Sequence, residues 1–193
     1  MDNFEQNDED VASLVQSGKV EFFGILIERY EKKMMRYASK VLYRHEDIQD
    51  VVQEILTKAY ININSFDIKR KFSSWLYRIA HNEIVNAFKK NKRRNFLPLF
   101  DLDVFFPQYA KNSNDINRQI DQGEMKEIID RCFDQLEDKY REPVALYYLE
   151  EFSYKEIAEI MQIPIATVGV RIKRAKEMLK FMFQKQGYHY GNQ

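Results

Sequence analysis

The sequence predicts an all-α fold: two small helical domains joined by an extended linker, the second ending in a helix-turn-helix. Three observations predict it. Apolar residues recur at helical spacing along most of the 193 residues. Six Gly and four Pro are too few for the turns of an all-β chain. The periodicity lapses over residues 95–120, leaving one unit at 1–94 and another at 121–193.

The first long helix is predicted over Phe22–Leu42, where Phe23, Leu26, Ile27, Tyr30, Met34, Tyr37, Ala38 and Val41 form one apolar stripe. The second runs from Glu46 to Tyr60, with Ile48, Val51, Val52, Ile55, Leu56 and Ala59 inward. The third starts near Ser73 or Ser74, both suitable caps, and carries Leu76, Ile79, Ala80, Ile84, Ala87 and Phe88. The linker holds Pro98 and Pro107 yet is rich in Phe and Leu, so it is expected to rest on a surface. Beyond it, Met125, Ile128, Ile129, Cys132, Phe133 and Leu136 mark another helix. Pro143 suits the first turn of a helix through Leu149. Ser153-Tyr-Lys-Glu156 has the capping-box pattern and opens a short helix to Met161. After a turn at Gln162–Pro164, a last helix reaches about Gln184.

Composition excludes several function classes. Cys132 stands alone, so neither an intrachain disulfide nor a cysteine-cluster metal site can form. The N-terminus lacks the basic and apolar runs of a secretory signal, and no 18-residue apolar stretch occurs. A cytoplasmic protein without metal, cofactor or small-molecule substrate is expected. His81 has Glu83 nearby but no second ligand at metal spacing, no phosphate loop and no nucleophile elbow around it, so no enzyme is expected.

The 30 basic and 30 acidic residues cancel, but they are segregated. Asp2, Glu5, Asp8, Glu9 and Asp10 make the first ten residues acidic. Lys69–Arg94 holds nine cations against Glu83, and Arg171–Lys185 is basic against Glu177 alone. Solvated helix faces would account for either patch singly; two on a neutral chain suit two contacts with one polyanion.

Each basic patch has its own chemistry. In Ser153–Lys176, Ile157, Ala158, Met161, Ile163, Val168 and Ile172 occupy the inner positions of a helix-turn-helix. The second helix offers Thr167, Val170, Arg171, Lys173 and Arg174 outward, where guanidinium forks reach guanine edges in a major groove. Ser65–Arg94 interleaves aromatics with cations and Asn, a mixture that holds unstacked bases and phosphates of single strands. Its candidate contacts are Lys69, Arg70, Phe72, Trp75, Arg78, His81, Asn82, Asn86 and Lys89. Phe66, Phe72 and Phe88 also suit a core, and Trp75 suits either role.

Glu46-Asp-Ile-Gln-Asp-Val-Val-Gln-Glu-Ile-Leu-Thr-Lys-Ala-Tyr60 and Phe72-Ser-Ser-Trp-Leu-Tyr-Arg-Ile-Ala-His-Asn82 resemble region 2 of the sigma-70 family. Tyr154-Lys-Glu-Ile-Ala-Glu-Ile-Met161 and Pro164-Ile-Ala-Thr-Val168 resemble its region 4. With only a linker between them, the chain is most similar to the extracytoplasmic-function (ECF) sigma factors of RNA polymerase. The resemblance implies that Asp47, Asp50, Gln53 and Glu54 dock on the β′ clamp helices of core polymerase. It implies that the Ser65–Lys90 segment opens and reads the promoter −10 element. Region 4 would read −35 duplex DNA and meet the β flap, the linker would thread towards the active site, and an anti-sigma factor would hold the protein. The family often has Gly at Ala166, a basic residue at Gly169 and Ser at Val170. A stand-alone helix-turn-helix regulator is the rival reading, and it leaves region 2 without a purpose.

Overall fold

A computed structural model describes residues 6–42, 45–94 and 131–185, and the predicted linker lies outside them. No strand occurs among the described residues.

Helix α1 (Asp8–Gln16) has no counterpart in the sequence reading. Asn7 caps it, its side chain accepting from the Asp10 amide at 2.8 Å, and Asp8, Glu9 and Asp10 suit the positive end of the helix. Gly18 ends it at φ +97°, in the left-handed region that a side chain would disfavour. A 3-10 turn (Val20–Phe22) leads into α2 (Phe23–Val41), whose buried face is Phe23, Leu26, Tyr30, Met34, Tyr37, Ala38 and Val41. Helix α3 (His45–Asn62) buries Ile48, Val51, Val52, Ile55 and Ala59. A second 3-10 turn (Ile63–Ser65) and a six-residue loop then lead to α4 (Phe72–Arg94). Helix α3 packs between α2 and α4, while α1 touches both of those.

In the second unit, residues 131–134 are helical, followed by α5 (Asp138–Tyr148), α6 (Tyr154–Met161) and α7 (Ile165–Lys185). Pro143 is inside α5 and not in its first turn, because the helix begins at Asp138, earlier than the proline suggested. Arg141 is buried, and its guanidinium donates to the carbonyls of Phe133, Asp134 and Leu136 at 3.2, 2.7 and 2.6 Å. One buried cation thereby satisfies the carbonyl end of the preceding helix. The capping box at Ser153 and Glu156 forms as expected, and Gln162 takes the left-handed conformation that turns the chain into α7.

The two units touch. Helix α2 packs on α5 and α4 packs on α6, so most of their buried residues form one continuous apolar cluster. A smaller cluster holds Cys132 and Phe183.

Candidate nucleic-acid interface

The loop before α4 is held from behind. Gln16 donates through its amide nitrogen to the carbonyls of Ile63 and Phe66, at 2.7 and 2.8 Å. Glu9 accepts from the Phe72 amide at 2.8 Å, so a carboxylate of α1 caps α4 from outside its own sequence. Asp8 pairs with Arg29 at 2.7 Å and accepts from the Tyr30 hydroxyl. Burial, reinforced by Asp8, pushes the Tyr30 phenol well above its ordinary range, so it stays a donor. Sequence reasoning read residues 1–10 only as acidic. The signal present was Asn7 three residues ahead of Asp10, with Val11, Ala12 and Val15 on one face.

Phe66 and Phe72 are 4% and 1% exposed, so the Phe72 ring belongs to the core and not to the contact surface. Trp75 is partly buried and packs against both, with ring centroids 5.3 and 5.5 Å away. Lys69, Arg70 and Lys71 are exposed on the loop; Arg78, Asn82, Asn86 and Lys89 are exposed along α4. His81 is more enclosed, its side chain 14% exposed.

On α3, Asp50, Gln53 and Glu54 are exposed and Asp47 is partly buried, away from the buried stripe. Glu54 accepts from Lys58 at 3.3 Å, and Lys58 reaches Glu83 of α4 at 2.7 Å. Those two carboxylates hold the Lys58 ammonium above its usual range. Beside this acidic face, Phe23, Ile27, Met35, Val52, Leu56 and Tyr60 line an apolar groove between α2 and α3.

In the helix-turn-helix, Val168, Ile172 and Ala175 fix α7 against the core, while Val170, Lys173 and Arg174 are exposed. Thr167 and Arg171 are half-buried at its flank. A Cβ added at Gly169 would stand 3.7 Å from the Tyr154 ring, so this position faces α6 and not the outer surface.

The carboxylates of the second unit were not singled out in the sequence, and they meet the first unit's donors. Glu142 accepts from Tyr37, and His81 Nδ1 lies 2.6 Å from the same carboxylate oxygen. Arg36 grips Glu150 through two nitrogens at 2.9 and 2.8 Å, and Tyr77 donates to the same group. Lys71 pairs with Glu156 at 2.8 Å and Arg70 with Glu159 at 3.4 Å. In the amide orientation that satisfies both groups, Gln162 accepts from Arg78 Nε at 3.1 Å. Burial alone would raise the Glu156 carboxyl, but hydrogen bonds from Lys71 and Ser153 outweigh it and hold the pKa at about 2. Burial raises the Tyr37 and Tyr77 phenols, with Glu142 and Glu150 adding to the effect.

Among the described residues, no group of three His, Cys, Asp or Glu is placed to hold a metal, and no helix is long and apolar enough to cross a membrane.

Residues 26–94 match the family model for sigma-70 region 2, and residues 126–179 match that for sigma-70 region 4. The chain is 34% identical over 179 residues to the ECF RNA polymerase sigma factor SigW of Bacillus subtilis, covering 86% of this chain and 91% of that one. It is also 34% identical to the ECF RNA polymerase sigma-E factor of Escherichia coli, covering 89% and 92%. The fold resembles that of the sigma factor RpoE crystallised with the anti-sigma factor NepR from Bartonella quintana. Its TM-score is 0.64 at 22% identity, over 83% of this chain and 96% of that one. With both sigma regions in order and relatives aligned over nearly their whole length, the chain belongs to the ECF group of sigma-70 family RNA polymerase sigma factors.

Proposed function

We propose that this ECF sigma factor divides its work among three helices: α3 for core polymerase, α4 with its preceding loop for melted −10 DNA, and α7 for −35 duplex. The observation that carries the reading is the separation of charge within region 2. Asp50, Gln53 and Glu54 line one exposed face of α3, whereas Arg78, Asn82, Asn86 and Lys89 line an exposed face of α4. A surface that meets cationic protein and repels DNA stands beside one that attracts DNA. Asp47, Asp50, Gln53 and Glu54 are assigned to the β′ clamp helices. Lys69, Arg70, Trp75, Arg78, His81, Asn82, Asn86 and Lys89 are assigned to −10 DNA. Thr167, Val170, Arg171, Lys173 and Arg174 are assigned to −35 DNA, with the other side of region 4 meeting the β flap.

The protein works in the cytoplasm, and an anti-sigma factor is its expected inhibitor. Reconstitution with core polymerase, followed by mapping of transcript starts, tests the whole reading. Specific starts that require both partners are the expected result. Specific duplex binding by the purified chain without core would favour the stand-alone regulator.

A further inference from the structure

We propose that α1 is a positioning element for promoter opening: Gln16 and Glu9 hold the two ends of the loop before α4 and so set the conformation in which it meets −10 DNA. The inference rests on the assignment of that loop and α4 to −10 DNA. It adds two residues that belong to none of the three assigned contact sets.

The tip and the ends of this loop are built differently. The tip, from Asp67 to Arg70, is exposed and closes on itself. The Asp67 carboxylate accepts from the Lys69 amide at 3.0 Å, and the Asp67 carbonyl accepts from the Arg70 amide at 2.9 Å. Such a turn keeps its own shape but does not fix where it points. Direction comes from the ends, where the Phe66 and Phe72 rings are buried and meet edge to face at 5.4 Å. The backbone there relies on α1. One Gln16 amide nitrogen donates to the carbonyls of both Ile63 and Phe66. Glu9 accepts from the Phe72 amide, an N–H that the first turn of α4 leaves without an intrahelical acceptor. Glu9 and Gln16 stand seven residues apart, two helical turns, so both project from one side of α1. The helix is itself fixed, with Val11 and Ala12 fully buried and Asp8 paired to Arg29 of α2. A contact side chain must be placed to within about 0.5 Å, and that placement comes from the groups behind it. For Lys69 and Arg70 those groups are on α1.

Gln16 is the sharper handle. Its amide carries two hydrogens, one for each carbonyl, whereas an ionised glutamate of the same length has none and faces two carbonyl oxygens with a charge. The full chain is assembled with core polymerase as wild type, Gln16→Glu, Gln16→Met, Glu9→Ala and Glu9→Gln. Core binding, permanganate mapping of the opened −10 strand and mutational scans of both promoter elements are read for each. Both Gln16 variants and Glu9→Ala should bind core at wild-type yield but open closed promoters about tenfold less, the scale of one or two lost hydrogen bonds. Their −10 scans should flatten while their −35 scans stay as in wild type. Glu9→Gln keeps an acceptor oxygen and should restore opening to within about twofold of wild type. Trp75, the one tryptophan of the chain, packs on Phe66 and Phe72, so its emission in the free chain should move to longer wavelength in the Gln16 variants. Wild-type opening and wild-type −10 scans in Gln16→Met and Glu9→Ala would overturn the proposal. So would losses that fall equally on core binding, −35 selection and −10 selection with helicity reduced, since α1 would then serve folding alone. If only Gln16→Met unfolds, the contrast between Glu9→Ala and Glu9→Gln decides. The −10 assignment fails separately, if Arg78→Ala and Asn82→Ala holoenzymes open promoters normally.

Discussion

Helices α4 and α7 carry similar chemistry to different circumstances. Both present cations along an exposed face, and in sequence both look like nucleic-acid surfaces. In the folded chain Arg78 and His81 of α4 meet Gln162 and Glu142 of the second unit, while Val170, Lys173 and Arg174 of α7 project from the helix-turn-helix. Charge composition thus says where a polyanion can bind, and tertiary structure says which of those groups already hold a partner. The acids that meet α4 and its preceding loop lie 61 and more residues along the chain from their partners.

The largest effect should come from the surface that both helices depend on. Asp50→Arg or Glu54→Arg should weaken core binding by about 2–5 kcal/mol if the clamp contact is desolvated. Transcription should then fail on every template, including one melted in advance. Pull-down of core at wild-type yield by both variants would remove α3 from the interface.

Acid should weaken the α4 side of the comparison. The Glu156 carboxyl is depressed from 4.5 to about 2, so its contribution is complete above pH 4.5 and is lost as pH falls towards 2. The shift corresponds to about 3 kcal/mol at most, since part of it belongs to the Ser153 cap and the side chain is partly solvated. Urea unfolding of wild type and Glu156→Gln should show a gap at pH 6 that narrows steadily below pH 4.5. A gap independent of pH would mean that the carboxylate is not held as described.

A third pair of effects, about 1–3 kcal/mol each, separates the two proposed DNA surfaces directly. Arg174→Ala should relax base preference at one −35 position, whereas Arg171→Ala, half-buried at the helix flank, should weaken all sequences alike and lower the salt slope. Arg78→Ala and Asn82→Ala should be defective on closed promoters. Activity regained on a template pre-melted at −10 would assign them to melting; persistent loss would assign them to base reading. A −35 scan unchanged by Arg174→Ala would mean that α7 docks differently.

Much of this was legible in the sequence, because long amphipathic helices announce themselves. The stripe from Phe23 to Val41 and the Ser153–Glu156 capping box reappear in the structure almost residue for residue. Helix α1 escaped because three inward residues in nine make a faint pattern, and its work is done by Glu9 and Gln16 on partners more than 40 residues away. Glu142 and Glu150 escaped for a related reason. A carboxylate reads as surface until the fold supplies donors, and Tyr37 and Arg36 lie 105 and 114 residues away. Phe72 shows the converse: an aromatic within a basic, single-strand-like segment that the core claims.

The smallest effect tests whether the glycine of α7 serves DNA or only the fold. Gly169 stands where the family often has a basic residue. In the structure an added Cβ meets the Tyr154 ring at 3.7 Å, ordinary van der Waals contact, and the backbone is not left-handed. Gly169→Ala should therefore stabilise α7 by up to about 1 kcal/mol, through helix propensity and a less flexible unfolded chain. Gly24 in α2 is the matched control, since a Cβ there meets nothing within 4 Å and it belongs to none of the assigned contact surfaces. For a chain of this size each substitution should raise Tm by about 2–4 °C or less, if unfolding is close to two-state. Gly24→Ala should gain less, because it lies in the first turn of its helix, where propensity counts for less. A −35 mutational scan should be unchanged by Gly169→Ala and by Gly24→Ala alike. If Gly169→Ala were neutral in stability yet altered the scan, the glycine would be admitting DNA and α7 would lie closer to the groove than its contact with α6 implies. If it lowered Tm, the approach of Tyr154 would be tighter than 3.7 Å, and the glycine would be there to let the two helices of the motif meet.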